Sequence, residues 1–278
     1  MWPFKKKKKT EVTQIIKKNK LPYKAGLSLA GGGARGFGHV GVLKAFEEES
    51  IVFDYVTGTS AGSMVGALYA LGFTSQQIIE FGKSLKAKDL RPISSVLISA
   101  PSKNIETQLN KVLGGVTFDK LQIPFSCVAV NIATGEEVVL SKGLVAPAVT
   151  ASCAAPIFFK PAVIDGVQLV DGGLLNTMPA DIVRQMGAEI VISVDINSKR
   201  AQGTTSSKLL NVLVATWRIA TSASAYKGYM NSDLVIQPDL DRFKATSLDQ
   251  DIDEMVEEGY KAAKEQMPQI KKLLGIIK

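Results

Sequence analysis

The sequence predicts an α/β fold: a mostly parallel sheet covered on both faces by helices. Three observations predict it. Short apolar runs alternate with segments of helical periodicity almost throughout the 278 residues. Two of those runs end in clusters of small residues, GGGARG (31–36) and GTSAG (58–62), as tight strand-to-helix turns require. No linker separates two cores, so one domain is expected over 24–278 behind a basic tail, 1–23.

Taken in order, AGLSLA (25–30) reads as a buried strand that runs into the glycine loop. A helix follows, with Val40, Leu43 and Phe46 at helical spacing and Glu47, Glu48 and Glu49 at its end. A second strand at 55–57 breaks at Gly58. Beyond Ser60, AGSMVGALYALG (61–72) is small and apolar all round, the pattern of a deeply packed helix. Residues 75–115 read as two or three helices. Strands are expected at 123–130 and 137–140, then a helix over 144–152, after which ASCAAPIFFKP (151–161) turns through Pro156 and Pro161. The β runs 162–164 and 167–170 flank Asp165-Gly166, a hairpin signal. A helix begins at Asp181, and 189–195 is a strong core strand. Residues 199–208 (KRAQGTTSSK) are polar and read as flexible. Helices at 209–228 and 251–274 close the chain, with a strand at 234–236 between them.

At 46% hydrophobic and 21% charged, the chain is an ordinary globular protein. Its net charge of +7 is not spread over it. Residues 1–20 hold eight lysines against one glutamate, which leaves 25 basic and 25 acidic side chains in the remainder. A neutral body argues against a basic groove for nucleic acid. Lys5, Lys6, Lys7, Lys8 and Lys9, beside Trp2 and Phe4, suit weak contact with an anionic membrane surface, at about 1 kcal/mol per basic residue. The alternative is a solvated tail. Polar residues, not an apolar segment, follow the lysines, so no secretory signal is expected. The most apolar stretch, 209–226, is interrupted by Asn211 and Arg218 and reads as a packed helix, not a membrane span. Cys127 and Cys153 make no disulfide framework, which suggests a reducing, cytoplasmic setting, peripheral to the inner membrane face if the tail binds lipid. No His/Cys/Asp cluster has metal-ligand spacing, and neither metal nor cofactor is expected.

Two motifs carry chemistry. Gly31, Gly33 and Gly36 match G-x-G-x-x-G after a strand and before a helix. This pattern cradles the phosphates of a dinucleotide when an acid about 20 residues on holds the ribose. Asp54 has that distance but precedes its strand, away from the carboxyl edge. The same loop could instead offer backbone N–H groups to a developing oxyanion. Gly58-Thr59-Ser60-Ala61-Gly62 matches G-x-S-x-G, which lifts a serine hydroxyl above a sheet when it lies between strand and helix; a plain tight connection is the other reading.

A serine hydroxyl needs a base. His39 is the only histidine, three residues after Gly36, where it suits a hydrogen bond that fixes the loop; a Ser-His-Asp triad stays open. Asp171 stands at a strand end beside Gly172 and Gly173, with its carboxylate unobstructed, while Asp165 suits the hairpin turn. Ile157, Phe158 and Phe159 either line an acyl channel or form simple core.

GGGARG (31–36), GTSAG (58–62) and DGG (171–173), in that order, resemble the patatin-like phospholipases. The resemblance extends to ASCAAPIFFKP (151–161), DGGLLNTMP (171–179) and GAEIVISVDI (187–196), covering roughly 24–265. It implies a three-layer α/β/α sandwich. It implies a Ser60–Asp171 dyad without metal, and an oxyanion hole from the backbone of Gly32 and Gly33 with Arg35 beside it. The implied substrate is a phospholipid, lysophospholipid or other acyl ester. A nucleotide-binding protein using the glycine loop, or a non-catalytic membrane-associated regulator, is the alternative.

Overall fold

The computed structural model describes residues 21–85, 100–197, 208–247 and 251–277. The lysine tail, the segment 199–207 and part of 75–115 lie outside the described residues. An eight-stranded sheet runs in the order β5-β6-β3-β2-β1-β7-β8, with β4 on the other edge of β3. The strands are β1 (Ala25–Leu29), β2 (Tyr55–Thr59), β3 (Phe125–Asn131), β4 (Glu136–Leu140), β5 (Ala162–Ile164), β6 (Val167–Asp171), β7 (Ile190–Val194) and β8 (Leu234–Ile236). β3, β2, β1, β7 and β8 are mutually parallel; β4 and β6 run antiparallel to β3. The helices are α1 (Phe37–Glu48), α2 (Ala61–Leu71), α3 (Ser75–Ser84), α4 (Lys103–Leu113), α5 (Val145–Ser152), α6 (Ala180–Gln185), α7 (Leu209–Asn231) and α8 (Ile252–Leu273).

The alternation of side chains along each strand sorts the two faces. Leu27, Leu29, Val56, Ile192 and Val194 point into a deep apolar layer shared with α1–α5 and α8. The opposite face mixes small polar residues with a minor apolar cluster of Val183, Ala188 and Val191. Thr57 Oγ1 donates to Pro179 O at 2.9 Å and Thr59 Oγ1 to Asn176 O at 2.8 Å, while Gly26 lies under Val183 of α6. This thinner layer of α6 and α7 completes the three-layer α/β/α arrangement.

Two expectations are corrected. β2 does not break at Gly58 but runs to Thr59, because Gly58 pairs with both Leu29 and Cys127. The apolar helix α7 is not packed along its length. Among its residues only Ala225 and Gly228 are buried, and Ile219, Tyr226 and Met230 are 66%, 69% and 67% exposed. Twenty-three residues of helix extend about 35 Å, whereas a five-residue strand extends about 17 Å, so α7 is about twice as long as the strands it flanks. The Asp165-Gly166 turn is a hairpin as expected, both residues at positive φ (49° and 79°). No helix among the described residues is long and apolar enough to cross a membrane.

Candidate active site

The topology brings Ser60 and Asp171 together. β4 covers one edge of β3 from Cys127 to Asn131. β2 and β6 therefore share the other edge, β2 along Phe125–Val128 and β6 along 129–131, running in opposite directions. Their carboxyl ends meet head to head between Val128 and Ala129. Thr59 is the last residue of β2 and Asp171 the last of β6, so the next residue after β2 faces the aspartate.

That residue, Ser60, has φ 52° and ψ −122°, a strained conformation for a non-glycine. The turn holds it there. Ser60 N–H donates to Ser152 Oγ at 3.0 Å, and Ser60 O accepts from Ser63 N and Met64 N as α2 begins. A Cβ at Gly62 would lie 2.1 Å from Leu29 O, and one at Gly58 would lie 2.4 Å from Gly62 O, so neither position admits a side chain.

Asp171 is 3% exposed. Burial pushes its carboxyl up to about 6, against the pull of hydrogen bonds from the Ser60 side chain and from Gly173 N–H at 2.8 Å. Cys153, beside both Ser60 and Asp171, has its thiol pushed up to about 12 by burial and stays neutral. His39 is wholly buried; its Nε2 donates to Ala30 O at 2.8 Å, and burial lowers its pKa to about 4. The one imidazole is a neutral clamp under the glycine loop.

The glycine loop adjoins the serine turn. A Cβ on Gly31 would lie 3.3 Å from Ser60 Cβ. Gly31 N–H donates to Thr177 O at 2.9 Å and Ala34 N–H to Ala245 O at 2.8 Å. Between them, the N–H groups of Gly32 and Gly33 have no acceptor among the described residues. Gly33 has φ +59°, and a Cβ there would strike Ala245 O at 2.2 Å. Arg35 turns away from this face. Its Nε donates to Phe243 O at 2.8 Å, burial lowers its pKa, and it ties the loop to the 240s segment without lining the cavity. Gly36 lies against Ala61, and Gly172 against Val128 O. Asp54 is at the opposite, amino edge, accepting from Ala25 N–H, where it is out of reach of a ligand on the glycine loop.

A cavity of about 530 Å³ opens over these groups, with Ser60, Asp171, Gly32 and Gly33 in one wall. Met64, Leu68, Phe81, Ile105, Phe158 and Trp217 supply much of the apolar remainder. Phe158 and Phe159 line it; Ile157 does not. Sequence reading missed Ser152, Trp217, Asp195 and Asn197. The last two carried a signal, polar residues just past a core strand, on the edge where Ser60 and Asp171 also lie.

A patatin-like phospholipase family model matches residues 27–184, more than half of the chain. Patatin-like phospholipase domain-containing protein 6 of Homo sapiens is 38% identical over 183 residues, 62% of this chain and 13% of that protein. An uncharacterised NTE family protein of Mycobacterium tuberculosis is 31% identical over 179 residues, 63% of this chain and 49% of its own. Lysophospholipase NTE1 of Mycosarcoma maydis is 33% identical over 213 residues, 72% and 11% respectively. The chain thus spans half or less of the length of these relatives. Among solved structures, VipD from Legionella pneumophila superposes with a TM-score of 0.61 over 96% of this chain and 72% of that one, at 17% identity, a likeness of fold. With its three-layer sandwich, its paired strand-end turns and a matched segment that contains both motifs and Asp171, the chain belongs to the patatin-like phospholipase family.

Proposed function

We propose that this chain hydrolyses acyl esters of lipids through Ser60 and Asp171. The observation that carries the reading is the meeting of a strained serine and a buried carboxylate, at the facing ends of β2 and β6, in the wall of an apolar cavity beside two amides with no acceptor among the described residues. Ser60 Oγ attacks the ester carbonyl while its proton passes to Asp171. A carboxylate whose pKa is about 6 is ionised at neutral pH yet basic enough to take that proton. The tetrahedral oxyanion is held by Gly32 and Gly33 N–H, donors of a kind worth about 2.7–4 kcal/mol each. Asp171 returns the proton to the departing alcohol or lysophospholipid. It then takes one from the water that cleaves the acyl-enzyme, releasing the fatty acid and restoring Ser60.

The apolar walls suit an acyl chain, and the relatives' names, phospholipase and lysophospholipase, support a phospholipid or lysophospholipid substrate. Contact with an anionic membrane surface belongs to the same proposal. The lysines at 5–9 favour it, as does the exposed apolar side of α7, whose other side bears Trp217 in the cavity wall.

The test is mass spectrometry of products from a panel of phospholipids, lysophospholipids and simple esters, with Ser60→Ala as control. Fatty acid release by the wild type and none above background by Ser60→Ala is expected. Equal release by both, or none by the wild type on any substrate, would overturn the proposal. Presenting the panel as neutral and anionic vesicles tests the tail: turnover should favour anionic vesicles, and the advantage should shrink with salt. An advantage unchanged by salt, or absent, removes the lysines from the account.

A further inference from the structure

Just past β7 stands Asp195, a 5%-exposed carboxylate with no described part in the reaction above. We propose that Asn197, held in place by Asp195, is the residue that orients the oxyanion hole. The proposal rests on the serine hydrolase reading and names a positioning residue for it.

Four hydrogen bonds define the geometry. Asp195 Oδ1 accepts from Asn197 N–H at 3.0 Å and from Asn197 Nδ2 at 2.8 Å. Its Oδ2 accepts from Tyr229 OH of α7 at 2.7 Å. Asn197 Nδ2 donates its second hydrogen to Gly31 O at 2.9 Å. A carboxylate only accepts, so Asp195 selects the amide orientation that presents NH₂, not oxygen, to Gly31. Ordinary amide ambiguity is removed by that partner.

Gly31 O belongs to the peptide unit whose N–H is that of Gly32. The unit is planar and trans, so fixing the carbonyl on one side fixes the N–H on the other. Something must do this. Glycines at 31, 32 and 33 leave the backbone little intrinsic resistance to rotation about that plane. The preceding unit is pinned separately, by Gly31 N–H to Thr177 O and by His39 Nε2, which donates to Ala30 O. Asn197 supplies the bond to Gly31 O. If that peptide flipped, a carbonyl oxygen would replace the Gly32 N–H at the cavity wall and repel the developing oxyanion. Accepting a hydrogen bond at Gly31 O also polarises the unit and strengthens Gly32 N–H as a donor.

The test uses an oxoester and its thionoester, in which sulfur replaces the carbonyl oxygen and accepts hydrogen bonds poorly. Asn197→Ala is expected to lower kcat on the oxoester by about 10- to 100-fold, less than the roughly 100- to 1,000-fold lost when an oxyanion donor is removed outright, with KM little changed. The thionoester rate should fall far less, so the oxoester preference contracts. Asn197→Asp, which turns a carboxylate toward Gly31 O, should lose more than Asn197→Ala. Tyr229→Phe, which removes one hydroxyl and little packing, should show a smaller contraction in the same direction and stands in should Asn197 variants fail to fold. Equal losses on the two substrates, or unchanged kcat, would overturn the proposal. Failure of the underlying reading looks different: Ser60→Ala would then turn over both substrates as fast as the wild type.

Discussion

The amino and carboxyl edges of the sheet both carry aspartates, and they treat them in opposite ways. At the amino edge Asp54 accepts from Ala25 N–H and lies 3.6 Å from Lys24 Nζ; Asp233 accepts from Val191 N–H at 2.7 Å and pairs with Arg184 at 2.7 Å. Each satisfies a strand-end amide and has a cation to balance it. At the carboxyl edge Asp171 and Asp195 are almost wholly buried and have no salt-bridge partner among the described residues. The first pattern stabilises a fold. The second leaves Asp171 charged in an apolar setting, which raises its proton affinity and is tolerable only where hydrogen bonds hold the group in place.

The largest expected effect concerns Asp171. Asp171→Asn keeps the shape and removes the proposed base, and should lower kcat by at least about 10³-fold, the scale of losing a general base. The same variant should be more stable than the wild type. Because the folded pKa is raised from 3.8 to about 6, the native state binds a proton more tightly than the unfolded chain. Wild-type stability is therefore full below about pH 4 and falls as pH rises through 6, by up to about 3 kcal/mol for a shift near two units. Denaturant melts should show Asp171→Asn gaining stability at pH 8 and losing the gain near pH 4. A gain that is largest in acid would contradict the assignment.

The amino-edge counterpart should behave in reverse. Asp233→Ala leaves Val191 N–H and Arg184 Nη2 without their acceptor, a loss of roughly 1–2 kcal/mol at a partly exposed site. Its turnover should stay within about twofold of wild type. A large loss of kcat would mean that the two edges are not separate in function.

Much of this contrast was legible in the sequence, for physical reasons. Apolar runs at β1, β2 and β7 and the glycine-bounded turns after β1 and β2 follow from local periodicity and steric demand. So does the hairpin turn at Asp165-Gly166. Asp54 could be set aside because it precedes its strand. The role proposed for Asp195 was not legible, since it depends on Gly31 O, 166 residues from Asn197, and on Tyr229 of α7. Likewise, composition marked α7 as apolar, but its burial depended on the length of the layer beneath it. Arg35 was expected beside the oxyanion hole; its Nε found Phe243 O, a partner 208 residues away.

The most direct measurement is covalent labelling with a fluorophosphonate, mapped by peptide mass spectrometry and timed across pH 4–9. One adduct on Ser60 is expected, forming at a rate that rises with a midpoint near 6, surviving in His39→Gln and lost in Asp171→Asn. An adduct on another residue, or labelling that persists without the Asp171 carboxylate and vanishes without the His39 imidazole, would contradict the account.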